Sequence, residues 1–196
     1  MDAATLFVEI LITGLEAFVW IGLFLSAVFG AQWVVKAIDM FNSAEVFLTT
    51  AFLAFAYVVG IIVEELTDAI SEPWSERLKS SFLNKNSPPF YDMQIYVSTH
   101  GGKEDEQFHY LRSRRRILRA SAFNIVLIGI SALIYLWAQA HDMLISTKAI
   151  LSVAILIASI TTSILSLFAY KRITGDYVKT IQRSYRILKE DASKKK

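Results

Sequence analysis

Of the 20 Lys and Arg residues, 18 fall in two stretches, 65–119 and 171–196, and each stretch adjoins apolar runs long enough to cross a bilayer. The first stretch holds Arg77, Lys79, Lys85, Lys103, Arg112, Arg114, Arg115, Arg116 and Arg119. Only Lys36 and Lys148 lie outside the two stretches. Basic residues beside a span are retained in the cytoplasm, so both stretches are expected there, and the connections holding Lys36 and Lys148 are expected outside. A chain constrained in this way crosses the membrane four times.

Composition agrees with that class, since 54% hydrophobic content is too high for an ordinary soluble domain of 196 residues. The absence of cysteine excludes disulfides, thiolate metal sites and S-acylation. Asp2 and Glu9, with no basic residue before the first apolar run, argue against a cleaved signal peptide.

The apolar runs are 6–35, 46–63, 120–138 and 149–169, the last three close to the roughly 20 residues a crossing needs. They divide the chain into a first hairpin (1–64), a cytoplasmic loop (65–119), a second hairpin (120–170) and a basic tail helix (171–196). The first run is too long for one crossing and allows two registers. A span starting near Leu6 places Glu16 deep in hydrocarbon. One starting near Ala17 leaves Glu16 at the inner boundary, level with Glu64 and Glu65, and makes Trp20 an interfacial anchor. Matching the uncharged run 46–63 favours the second. The fold expected is all-α, with four transmembrane helices in two hairpins, cytoplasmic helical extensions and one strand-like segment.

That segment is MQIYVST, 93–99, in the loop. Before it, the second span is expected to continue to Ser71, with Pro73 in the first turn of a new helix. Trp74, Leu78 and Phe82 recur every fourth residue, the pattern of an interfacial helix at the headgroups. Pro88 and Pro89 impose extended backbone, 100–102 form a turn, and Glu104, Asp105 and Glu106 suit the start of a basic helix. In the tail, Ile173, Tyr177, Ile181, Tyr185 and Leu188 form a stripe that can pack on the loop or on a neighbouring tail, with Gly175 as a hinge.

Three residue sets carry the candidate chemistry. Glu64, Glu65 and Asp68 are expected to meet Arg112, Arg115, Arg116 and Arg119 at the inner boundary, either as structural ion pairs or as a latch whose pairs exchange. The arginines can also grip anionic lipid headgroups, at about 1 kcal/mol per residue. Glu9 and Glu16 share a helix face and are candidates for a polar path. Gly14, Gly22, Ser26 and Gly30, and Ala154, Ala158, Thr162 and Ser166, form small-residue faces for helix packing or self-association.

His100, His109 and His141 lack metal-ligand spacing, and no nucleophile elbow or phosphate loop is present, so neither an enzyme, a cofactor nor a metal site is expected. The arginine cluster beside a span reads as an orientation determinant, which disfavours nucleic acid. The layout resembles, in topology alone, those of channel and motor-stator families. The function expected is a small homo-oligomeric membrane protein, ion-conducting or membrane-permeabilising, controlled from the cytoplasmic side. The alternative is a non-conducting scaffold or sensor that anchors a cytoplasmic protein partner. A bacterial inner membrane, in a stress or defence system, suits either.

In this cysteine-free background, a single cysteine introduced at Ser98 or at the C-terminus should react with a membrane-impermeant maleimide only after the cytoplasmic face is opened. Labelling of the Ser98 position from outside intact cells refutes the topology.

Overall fold

In hydrocarbon a backbone N–H or C=O has no solvent partner, so an apolar run closes its hydrogen bonds within itself as a helix. The computed structural model describes residues 3–30, 32–34, 45–83, 87–100 and 105–194, and over these the chain is helical almost throughout. Helix α1 spans Ala3–Phe29, α2 Glu45–Phe82, α3 Phe90–His100, α4 Asp105–Gln139 and α5 Ile145–Lys194. Helices α1, α2, α4 and α5 are each long and apolar enough to cross a membrane. The 38 residues of α2 and the 50 of α5 run about 57 and 75 Å at 1.5 Å per residue, against a hydrocarbon layer of about 30 Å. The surplus lies at one end, the charged end, with the N-terminal part of α4 and all of α3.

Through the apolar sections α2 packs on α1, α1 on α4 and α4 on α5. Close approach is set by glycines. A Cβ on Gly14 would overlap the Ala56 carbonyl, and one on Gly60 the Ile10 carbonyl, so α1 and α2 meet backbone to backbone. Gly129 receives the Ser159 side chain, and the Ser163 hydroxyl donates to the Ala122 carbonyl at 3.2 Å, which seats α5 on α4. Outward faces are apolar: Val58, Ile62, Ile150, Ile157 and Ile164 are all exposed, as lipid-facing side chains require.

The expected small-residue faces divide. Gly14 packs on α2 and Ser26 is buried, its hydroxyl donating to the Gly22 carbonyl. Gly22 faces open space, and Gly30, at φ +80°, terminates α1 in the left-handed conformation favoured at helix ends. On α5, Ala154, Ala158 and Thr162 are exposed and lie away from the serines that meet α4, while Ser166 is half-buried.

At the charged end Met93, Val97, Phe108, Tyr177 and Ile181 form a hydrophobic core, joined by Leu83, Phe90, Leu111, Tyr185 and Leu188. The tail stripe therefore packs on α3 and α4 of its own chain. This core corrects the expected strand. Residues 93–99 belong to α3, where Phe90, Met93 and Val97 share a face at helical spacing and dock on Tyr177 and Ile181. Tertiary burial overrides local β propensity, and no strand occurs among the described residues to pair with the segment. Gly101, Gly102 and Glu104 lie outside the described residues.

Two further expectations change. Helix α2 runs through Pro73 without restarting, at the cost of the hydrogen bond that an N–H there would give to the Ala69 carbonyl. The residues beyond are held on α5: Trp74 stacks on Tyr170, Ser75 accepts from the Tyr170 hydroxyl at 2.9 Å, and Phe82 covers Gly175. Leu78 is buried and Trp74 stays 42% exposed, so the expected interfacial helix is the tip of a longer one turned toward the protein. Gly175 is accordingly a contact point within an unbroken α5, not a hinge.

Gly60→Val should destabilise the fold by about 1–3 kcal/mol, the usual cost of overpacking, in unfolding titrations in mixed micelles. Gly22→Ala should not destabilise it, because a Cβ at Gly22 meets nothing within 4 Å.

Candidate functional site

Acidic residues on α2 and basic residues on α4 face each other where the apolar sections end. Arg116 donates to Glu64 and Arg119 to Asp68, joining the two helices. The Glu64 side chain is only 14% exposed and that of Asp68 61%, so the first pair is the more desolvated. Glu65 and Glu72 are exposed on the same helix, and Glu76 is engaged by Lys79 at 2.6 Å. The two walls, with Phe90, Gln94, Tyr170 and Tyr177, line a half-open cavity of about 630 Å³.

Arg115 is placed differently from its neighbours. It is 9% exposed, and its guanidinium lies 5.6 Å from the Tyr170 ring centroid and 4.8 Å from that of Tyr177. Its polar contact is the Tyr170 hydroxyl at 3.5 Å, and its Nε has no hydrogen-bond partner among the described residues. Two aromatic faces contribute about 2 kcal/mol or more each when desolvated, against a burial cost of several kcal/mol. No carboxylate among the described residues forms an ion pair with it. Arg112, exposed on the same wall, likewise has no ion pair among them, and the buried Arg119 keeps a free Nε.

A second polar feature starts beside this cavity and enters the apolar section. Glu9, Thr13, Glu16 and Trp20 share one face of α1 and meet α4. Glu16 accepts from the Ser121 hydroxyl at 2.7 Å and from the Asn124 amide at 3.2 Å. The same amide donates to the Thr13 carbonyl at 3.1 Å, and the Trp20 indole donates to the Asn124 carbonyl oxygen at 3.2 Å. Glu9 lies in the field of Arg116; it is 5% exposed, and both of its carboxylate oxygens lack hydrogen-bond partners among the described residues. From Glu9 to Trp20 the seam runs about 16 Å along the helix, half the hydrocarbon thickness.

This placement corrects the favoured register of the first span. Gly14 sits against Ala56 and Ile10 against Gly60, so Glu16 is level with the middle of the 46–63 run rather than with Glu64. Glu9 occupies the boundary position, level with Arg116. Trp20 is inside the bundle as a hydrogen-bond donor instead of anchoring the interface. The reason is tertiary: matching the charge-free run considered α1 alone, whereas Ser121 and Asn124 supply partners that let a carboxylate sit deeper.

Sequence reasoning missed Asn124, Ser121, Tyr170 and Ser75. Asn124 carried a usable signal as the one amide in the third apolar run. Tyr170 and Ser75 carried none, since only the folding of α5 onto α2 brings them together. His100 bonds its own helix at the Tyr96 carbonyl, His141 lies in the turn at the opposite end, and the side chain of His109 is outside the description. Among the described residues no three His, Asp or Glu side chains converge as a metal site requires.

The ion pairs differ in a measurable way. A double-mutant cycle on Glu64 and Arg116 should give a coupling of about 1–3 kcal/mol, and one on Asp68 and Arg119 about 1 kcal/mol or less, because Asp68 is solvated. Additive effects at both pairs would contradict the contacts. Comparison with protein-family models, curated proteins and solved structures returned no match to this chain, so its reading rests on its own residues.

Proposed function

We propose that this protein is the subunit of an oligomeric assembly that conducts ions or permeabilises the membrane, controlled from the charged end, with both termini in the cytoplasm. The observation that carries the reading is the α1–α4 seam. Glu16 and Asn124 stand in the apolar sections of α1 and α4, with Glu9 at the boundary beside a charged cavity, and such groups in hydrocarbon commonly mark pathways. Within one chain the seam stops at Trp20, so a complete path needs a second copy or a movement of α1 against α4. The exposed Ala154, Ala158 and Thr162 of α5 offer a face on which copies can approach. Exchange of partners between the Glu64–Arg116 and Asp68–Arg119 pairs is the control step in this reading.

A second reading, a non-conducting scaffold that anchors a cytoplasmic protein, is favoured by a separate observation. Lys179, Arg183, Arg186 and Lys189, with the single carboxylate of Glu190 beside them, line a groove of about 750 Å³ with Pro88 and Met93, far from the apolar sections. It suits an acidic partner segment.

Reconstituted bilayers distinguish the two. Glu16→Gln keeps the size of the side chain and its capacity to accept from Ser121, so assembly should persist while conductance or ion selectivity changes. Absence of current from the wild-type protein, with its cytoplasmic partner present, together with unchanged behaviour of the variant in cells, replaces conduction with scaffolding.

A further inference from the structure

An arginine carries five N–H donors in a planar fork and stays ionised in any accessible pH range. Arg115 places that fork on the wall of the 630 Å³ cavity, nine-tenths buried, with its Nε–H unpartnered and a 3.5 Å contact to the Tyr170 hydroxyl as its polar contact. The Tyr170 and Tyr177 rings lie 5.6 and 4.8 Å from the guanidinium, which restricts its movement while its Nε–H stays without a partner among the described residues. A buried cation fixed in this way is a site prepared for an anion.

We propose that Arg115, with Arg112 and Arg119, binds a single phosphate group in the cavity between α2 and α4. Arg119 lines the same cavity, buried, with one nitrogen on Asp68 and its Nε free. Arg112 is exposed, lines it too, and has no ion pair among the described residues. Planar guanidinium groups match phosphate oxygens in pairs, which a chloride ion cannot exploit. The acidic wall narrows the choice. Glu64, Asp68 and Glu76 are engaged by Arg116, Arg119 and Lys79, but Glu65 and Glu72 have no such partner among the described residues and disfavour a polyphosphate. One phosphate is what the walls accommodate. Because the cavity sits where the apolar sections end, its source is either a phospholipid headgroup or a free phosphate compound.

The test uses the full-length protein in dodecyl maltoside, a detergent without phosphate, with thermal unfolding as the readout at constant ionic strength. The probes are inorganic phosphate and dimyristoyl phosphatidic acid, with dimyristoylglycerol as the control for acyl chains. At least one phosphate probe should raise the Tm, with an apparent affinity about tenfold weaker in Arg115→Gln and in Arg112→Gln. A response to phosphatidic acid alone assigns the site to a headgroup, and a response to inorganic phosphate assigns it to the free anion. Arg112→Gln decides the matter if Arg115→Gln does not fold, since Arg112 is exposed. The proposal is overturned if neither probe acts, if inorganic phosphate does not act and dimyristoylglycerol acts as strongly as phosphatidic acid, or if Arg112→Gln leaves both affinities unchanged. Binding here is independent of conduction, so failure of either reading leaves the other standing.

Discussion

Hydrocarbon supplies no hydrogen bonds, so each polar group that α1 and α4 carry into their apolar sections must find its partner inside the protein. Asn124 meets most of that demand. Its amide bonds both the Thr13 carbonyl and Glu16, and its carbonyl oxygen takes the Trp20 indole. Apolar side chains alone would let α1 slide or rotate on α4, since lipid contacts them as well as protein does. The donors and acceptors around Asn124 select one depth and one rotation, and the glycine contacts then place α2 on α1.

The charged end follows from that register. With Glu16 set against Ser121, Glu9 comes level with Arg116, and Arg116 and Arg119 reach the acidic face of α2. Long extensions of α2, α4 and α5 carry these charges beyond the apolar layer, where α3 closes a small core of Met93, Val97, Phe108, Tyr177 and Ile181. Arg115 lies between the two regions. Its surroundings are apolar enough to bury it and aromatic enough to hold it, yet no carboxylate among the described residues forms an ion pair with it. Stability alone favours an aliphatic side chain there, which is why an unpaired buried cation reads as a binding feature.

Much was readable before folding. The four long apolar helices followed from the apolar runs, because lipid leaves a single chain segment no other way to close its backbone bonds. The meeting of acidic and basic sets was legible as well, since both lie on extensions of neighbouring spans. Misreadings cluster where a segment was judged by itself. Residues 93–99 look like a strand in isolation and are a helix against α5. Pro73 looks like a helix start, yet the residues after it are held by Tyr170 and Gly175 in line with those before.

By itself, the sequence determined that the chain is a set of long apolar helices with its charge collected at one end, because helix length and charge placement depend only on local composition. Tertiary structure alone decided the depth of Glu16, the isolation of Arg115 between two tyrosines and the packing of the tail on its own chain. Each of these depends on which face of one helix meets which face of another. That choice is made by paired donors, acceptors and glycine contacts 30 or more positions apart along the chain, a distance over which periodicity carries no information.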